Sequence, residues 1–90
     1  MVEIALLLGS TMTIKRHLVS EYNGWLKQLG KKCKELRLGE GLTQSKMAKK
    51  IGIDMKFYQD IEGGRRPVST KTLYAIAVGM GVSMDKLVSF

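Results

Sequence analysis

Between Trp25 and Leu38 the apolar positions Leu26, Leu29, Cys33 and Leu36 recur three or four residues apart, with Lys27, Lys31, Lys32 and Lys34 mostly on the other faces. That spacing predicts an amphipathic helix ending near Leu38, after which Gly39, Glu40 and Gly41 make a corner. The stretch Thr43 to Glu62 then reads as two short helices. Thr43 caps the first, and Met47, Ala48 and Ile51 share one face of it. Gly52 stops it, because a helix end often needs a positive φ that glycine adopts cheaply. Asp54 caps the second, which turns Tyr58 and Ile61 inward. Helices of about two to three turns are not stable alone, so neighbouring segments must cover their apolar faces.

Gly63 and Gly64 close the second helix, Arg65 and Arg66 stand in the following loop, and Pro67 prevents simple continuation. Ser69 or Thr70 caps the next helix, whose inward stripe is Leu73, Ile76, Ala77 and Met80 and whose end is marked by Gly81. A last short helix follows Ser83, with Asp85 in its first turn and Leu87 and Val88 available for burial. Upstream, Thr13 can cap a helix carrying Ile14, Leu18 and Tyr22 on one face. Asn23-Gly24 is a turn signal and predicts a break, although the spacing also fits a continuous helix. Residues 2–8 are apolar except Glu3 and leave three readings open. They fit a short strand, a partner-binding segment, or sequence upstream of a start at Met12. No run alternates over the length of a strand, so the fold class is all-α, with an N-terminal extension at 1–24 and a domain at 25–90.

Ninety residues suffice for one small domain. The net charge of +7 changes the picture through its location, because 13 Lys and Arg stand against 6 Asp and Glu from Trp25 onward. A basic surplus on the segment with the helix pair favours a polyanionic partner, nucleic acid first. Cys33 is the sole cysteine and excludes an internal disulfide, which fits a reducing, cytoplasmic setting. It falls on the apolar stripe and reads as core. With His17 the sole histidine, no metal site and no nucleophile-base pair can be assembled from the usual residue types. No cofactor and no enzymatic activity are therefore expected. The opening MVEIALLLGST lacks a basic leader region and is far shorter than the ~20 apolar residues of a membrane span, so it reads as neither signal nor anchor.

From Leu29 to Leu87 the chain resembles the phage-repressor (Cro-like, or XRE) helix-turn-helix domain. The resemblance rests on Gly41-Leu42-Thr43-Gln44 before the first motif helix, Ala48 within it, Gly52 at the turn, Ile61-Glu62-Gly63-Gly64 at the end of the second, and Gly81-Val82-Ser83 after the next helix. It implies a compact five-helix repressor-like domain carrying an N-terminal, helical extension. Small single-domain regulators such as restriction-modification controller proteins are the members it looks most like, while antitoxins and phage repressors use the same domain. The resemblance also implies a role in DNA binding for each motif residue that matches. The second motif helix lies in the major groove, which is wide enough to admit one. Its outward residues are Asp54, Met55, Lys56, Phe57, Gln59 and Asp60. Thr43 and Gln44 face the DNA backbone or an outer base, Lys56 matches a base-reading position, and Arg65 and Arg66 clamp phosphates. Asp60 departs from the family, which has a basic or amide residue there more often. It is tolerable beside phosphates if it accepts from a cytosine amine or pairs with Lys56 one turn back. Arg37 and Glu62 match an ion pair joining the first helix to the end of the recognition helix.

The leading expectation is a sequence-specific regulator of transcription binding double-stranded DNA as a homodimer. Val82, Met84, Leu87, Val88 and Phe90 are more apolar residues than the chain's end needs to close a small core, and an exposed surplus of that kind marks an interface. The resemblance points to the same end, since small members dimerise through their last helices. Ile14, Leu18 and Tyr22 form the competing surface. The alternative function is an antitoxin-like module that grips a partner protein through the N-terminal segment and autoregulates through DNA.

Overall fold

The computed structural model describes residues 11–90, and among these it has five α-helices and no strand. They are α1 (Thr11–Gly39), α2 (Gln44–Ile51), α3 (Met55–Glu62), α4 (Thr70–Met80) and α5 (Met84–Leu87). The VEIALLL run, with the three readings it left open, lies outside the described residues.

Side-chain caps define the starts of α2 to α5. The Thr43 hydroxyl accepts from the Lys46 amide at 3.1 Å, and Asp54 Oδ2 accepts from the amides of Lys56 at 2.9 Å and Phe57 at 3.3 Å. Ser69 and Ser83 do the same for Thr72 and Lys86. Each such cap contributes about 0.5–2 kcal/mol, which matters for helices of eight residues. Gly52 closes α2 at φ 90°, in the left-handed region, and its N–H returns to the Ala48 carbonyl. The short α2 and α3 are thereby held at a tight corner.

Two local expectations are corrected, the break at Asn23–Gly24 and the cap at Thr13. The break at Asn23–Gly24 is absent, and α1 runs through it for 29 residues. An Asn-Gly turn needs positive φ at its central residues, whereas Gly24 is not among the positive-φ glycines. Here the apolar stripe continues across the dipeptide and Tyr22 stacks on Trp25, with ring centroids 6.3 Å apart. Thr13, expected as the cap, is already inside the helix.

The chain's end is more buried than the apolar count suggests. Leu87 is fully buried, Val82 and Met84 pack half-buried against the core, and Val88 is half-buried. Phe90 is exposed but leans on Trp25 at 5.6 Å. The expected surplus is mostly absorbed in closing a core built from Leu29, Cys33, Met47, Ala48, Tyr58, Ile61, Ile76, Ala77, Met80 and Leu87. Among the described residues, α5 is the element that follows α4 and packs against it. The larger exposed apolar side chains are instead Tyr74 at 63% and Val78 at 62%, one turn apart on α4.

Candidate nucleic-acid interface

Two helices and the loop between α1 and α2 meet at Arg37. Its Nε donates to Glu62 Oε2 at 2.6 Å and its Nη2 to Glu62 Oε1 at 3.1 Å, while Nη1 reaches the Leu42 carbonyl at 2.9 Å. The side chains are only 10% and 5% exposed, so a bidentate charge-assisted pair sits in a nearly dry setting. Gln44, the first residue of α2, donates from Nε2 to Glu62 Oε1 at 3.0 Å and accepts from Gln59 Nε2 at 3.2 Å. One chain of bonds thus runs from α1 to the end of α3, on to the start of α2, and back to α3. Burial alone would raise the Glu62 carboxyl, but hydrogen bonds from Arg37 and Gln44 outweigh it and hold the group below the usual carboxylate range.

The same geometry refines Gln44. Its amide is half-buried and engaged within the protein, so it fixes the relative position of the two motif helices as well as standing near the outer surface. Beneath this frame, Tyr58 is fully buried, with its hydroxyl outside ordinary hydrogen-bond geometry to any partner among the described residues. Burial pushes that phenol up, and likewise pushes the Cys33 thiol up to about 12. Cys33 is therefore a neutral core side chain at physiological pH.

On the outer side of α3, Met55 is 44% exposed and Lys56 extends into solvent. Phe57 is half-buried at the edge of the core, and the Arg66 guanidinium lies 4.7 Å above its ring. Gln59 is half-buried beside Gln44. Asp54 keeps its carboxylate on the helix cap, and Thr43 keeps its hydroxyl on the α2 cap. Asp60 Oδ1 accepts from Lys56 Nζ at 3.0 Å and from Arg65 Nε at 3.3 Å, and Arg65 Nη2 also donates to the Gln59 carbonyl at 3.1 Å. The hydrogen bond from Lys56 outweighs the others and keeps the Asp60 carboxyl below its ordinary value.

Between α1 and the end of α3 lies a polar cleft of about 420 Å³ lined by Lys34, Gln44, Gln59, Glu62, Gly63 and Arg65. Lys34 and Arg65 are the cations lining it, alongside the Glu62 carboxylate that Arg37 already pairs. Lys34 was not among the residues singled out from the sequence, where it is one of four lysines on the outer faces of α1. Only the tertiary approach of α1 to α3 distinguishes it.

A family model described as helix-turn-helix matches residues 34–87. The control protein C.MunI of a Mycoplasma species is 36% identical over 63 residues, which make up 69% of this chain and 85% of that protein. The propionyl-CoA carboxylase regulator of Cereibacter sphaeroides is 38% identical over 58 residues, or 64% of this chain. The chain spans only 13% of that regulator's length. Among solved structures, the restriction-modification controller protein C.AhdI of Aeromonas hydrophila aligns with a TM-score of 0.66 and 29% identity, covering 69% of this chain and 94% of its own.

Proposed function

Because the chain belongs to the Cro-like (XRE) helix-turn-helix family, a DNA-binding regulatory family, we propose that it is a sequence-specific transcriptional regulator that docks α3 in the major groove as a homodimer on a two-fold operator. The observation that carries this reading is the bonded frame of Arg37, Glu62, Gln44 and Gln59. It locks α2 and α3 into one body and leaves the exposed Met55 and Lys56 on the outer side of α3, where they can meet base edges. Lys56 donates to guanine O6 and N7, Met55 offers an apolar contact to a thymine methyl, and Gln59 pairs with adenine when it leaves Gln44. Thr43 and Gln44 approach the backbone at the start of α2, while Lys34, Arg65 and Arg66 neutralise phosphates. Selection of bound duplexes from a random pool tests the reading, and a pool without enrichment overturns it.

Salt separates backbone contacts from surface charge. Affinity for duplex DNA is expected to fall with a log-log slope of about −0.9 per phosphate neutralised, and Arg65→Ala to flatten it by about one unit while weakening all sequences alike. An unchanged slope removes Arg65 from the interface.

The dimer surface favoured by exposure is α4, where Tyr74 and Val78 stand in solvent. One recognition helix reads only a few base pairs, and a pair spaced by about 34 Å doubles the site. Val78→Glu is expected to give a monomer by sedimentation at micromolar concentration, with weaker operator binding and an unchanged melting temperature. A variant that stays dimeric directs attention to α1. Residues 16–24 of α1 are all exposed, with Leu18 at 50%, Val19 at 57% and Tyr22 at 40%. The Ile14 side chain of that stripe lies outside the described side chains. This exposed stripe is also what favours the second reading, an antitoxin-like module. Leu18→Glu discriminates, since a dimer through α1 then dissociates, whereas a partner-gripping α1 leaves self-association and DNA binding as they were.

A further inference from the structure

Three carboxylates lie in or beside α3, and two have evident structural work. Asp54 accepts the first amides of the helix, and Glu62 holds Arg37. Asp60 is different. It stands near the C-terminus of α3, where the helix dipole disfavours negative charge, and on the side of the helix assigned to a polyanion. Its two partners, Lys56 and Arg65, are 72% and 59% exposed, and ion pairs with such exposed cations contribute little to folding. Although the Asp60 side chain is itself only 18% exposed and both cations favour its charged form, stability alone does not account for a carboxylate at this position. Its geometry does. One oxygen, Oδ1, takes a hydrogen bond from each of the two cations that flank the reading surface, as a phosphate oxygen would.

We propose that Asp60 is a specificity-determining residue that engages Lys56 and Arg65 as an internal substitute for phosphate, so that duplexes offering only their backbone must displace it. This rests on the reading that α3 enters the major groove. On random sequence, moving Lys56 and Arg65 onto phosphates breaks both bonds and leaves Asp60 facing like charge. At the operator, base-edge acceptors reached by Lys56 offset that loss, because the bond to Asp60 is exchanged for a directed bond to a base. The carboxylate thus weakens all binding, and weakens non-specific binding most. Discrimination between the two is the quantity such a protein needs, since the competing sites greatly outnumber the operator.

The test compares wild-type protein, Asp60→Asn and Asp60→Glu on two duplexes of equal length and composition. One is the best sequence selected by the wild type from a random pool, and the other is its scrambled counterpart. Asparagine keeps the shape and loses the charge, while glutamate keeps the charge. Asp60→Asn is expected to bind the scrambled duplex about tenfold more tightly, with a salt slope steeper by about one to two units. It gains about twofold or less on the selected duplex, so the ratio drops several-fold, and Asp60→Glu retains most of the wild-type ratio. Equal changes on both duplexes overturn the proposal by making Asp60 an ordinary surface charge. A loss confined to the selected duplex also overturns it and makes Asp60 a direct base contact. Wild-type protein that binds neither duplex defeats the groove-docking reading beneath the proposal, and the proposal with it. Melting curves for each variant confirm that the fold is common to all three.

Discussion

Replacing Arg37 with alanine is expected to destabilise the domain by about 3 to 5 kcal/mol, the range seen when one partner of a buried ion pair is removed. For a domain of this size that is a fall in melting temperature of more than about 12 °C. The reason is less the loss of the bond than the state of what remains. Glu62 is only 5% exposed and would keep its charge with Gln44 as its remaining hydrogen-bond donor of the frame. The Leu42 carbonyl also loses its donor, which loosens the corner into α2. DNA binding is therefore expected to be lost together with stability, although Arg37 is remote from any base. Lysine is a poor replacement, because a single ammonium cannot meet both carboxylate oxygens in the guanidinium's fork geometry.

The same variant has a pH signature whose sign can be worked out. In the parent, Glu62 is held below its ordinary 4.5, so its contribution is fully present above that value and is lost as pH falls through the lower folded-state value. Without Arg37, burial raises the carboxyl instead, and protonation relieves the variant. The gap between parent and Arg37→Ala is expected to be widest at neutral pH and to narrow toward pH ~4. Thermal melts at the two pH values check this, and a gap independent of pH would remove Glu62 charge as the cause.

Apart from the cap expected at Thr13, local chemistry was legible where a residue's effect is confined to its own turn. Thr43, Asp54, Ser69 and Ser83 cap the helices assigned to them, and Gly52 takes the left-handed φ that a tight corner needs. The Lys56–Asp60 pair follows from an i, i+4 spacing alone. What depended on tertiary approach was not legible. Asn23–Gly24 carries a turn signal, yet an aromatic stack and a continuing stripe favour one long helix. In α4 the inward stripe of Leu73, Ile76, Ala77 and Met80 was legible, but TKTLYAIAVGM is apolar on nearly every side, so the pattern gave no reason to single out the exposed Tyr74 and Val78. At the chain's end, counting apolar residues could not divide Val82, Met84, Val88 and Phe90 between core and surface. The inward engagement of Gln44 and the second bond from Arg65 to Asp60 both join residues more than a turn apart, through loop geometry that no pattern records.

The second large effect is expected at Gly30, where helix propensity and packing give opposite signs. Alanine in a helix interior is worth about 1 kcal/mol over glycine, so propensity predicts that Gly30→Ala stabilises α1. The structure predicts the reverse. A Cβ at this position would overlap the carbonyl oxygens of Ile61 and Glu62 and lie 2.8 Å from the Glu62 carbonyl carbon. Those are backbone atoms at the end of α3, so no change of rotamer relieves the overlap, and α1 must move away from α3 as a whole. Overpacking of this kind costs about 1–3 kcal/mol and sometimes more. The displacement also separates Arg37 from Glu62, two turns along the same helix, and so couples to the frame that sets α2 against α3. Gly24 supplies the control. It lies in the same helix with nothing among the described residues within 4 Å of where a Cβ would stand, and Gly24→Ala is expected to raise the melting temperature by about 4–8 °C. Gly30→Ala should lower it and reduce affinity for the selected duplex in parallel. If both variants gain stability alike, α1 and α3 do not meet at Gly30, and the frame is held by its side chains alone.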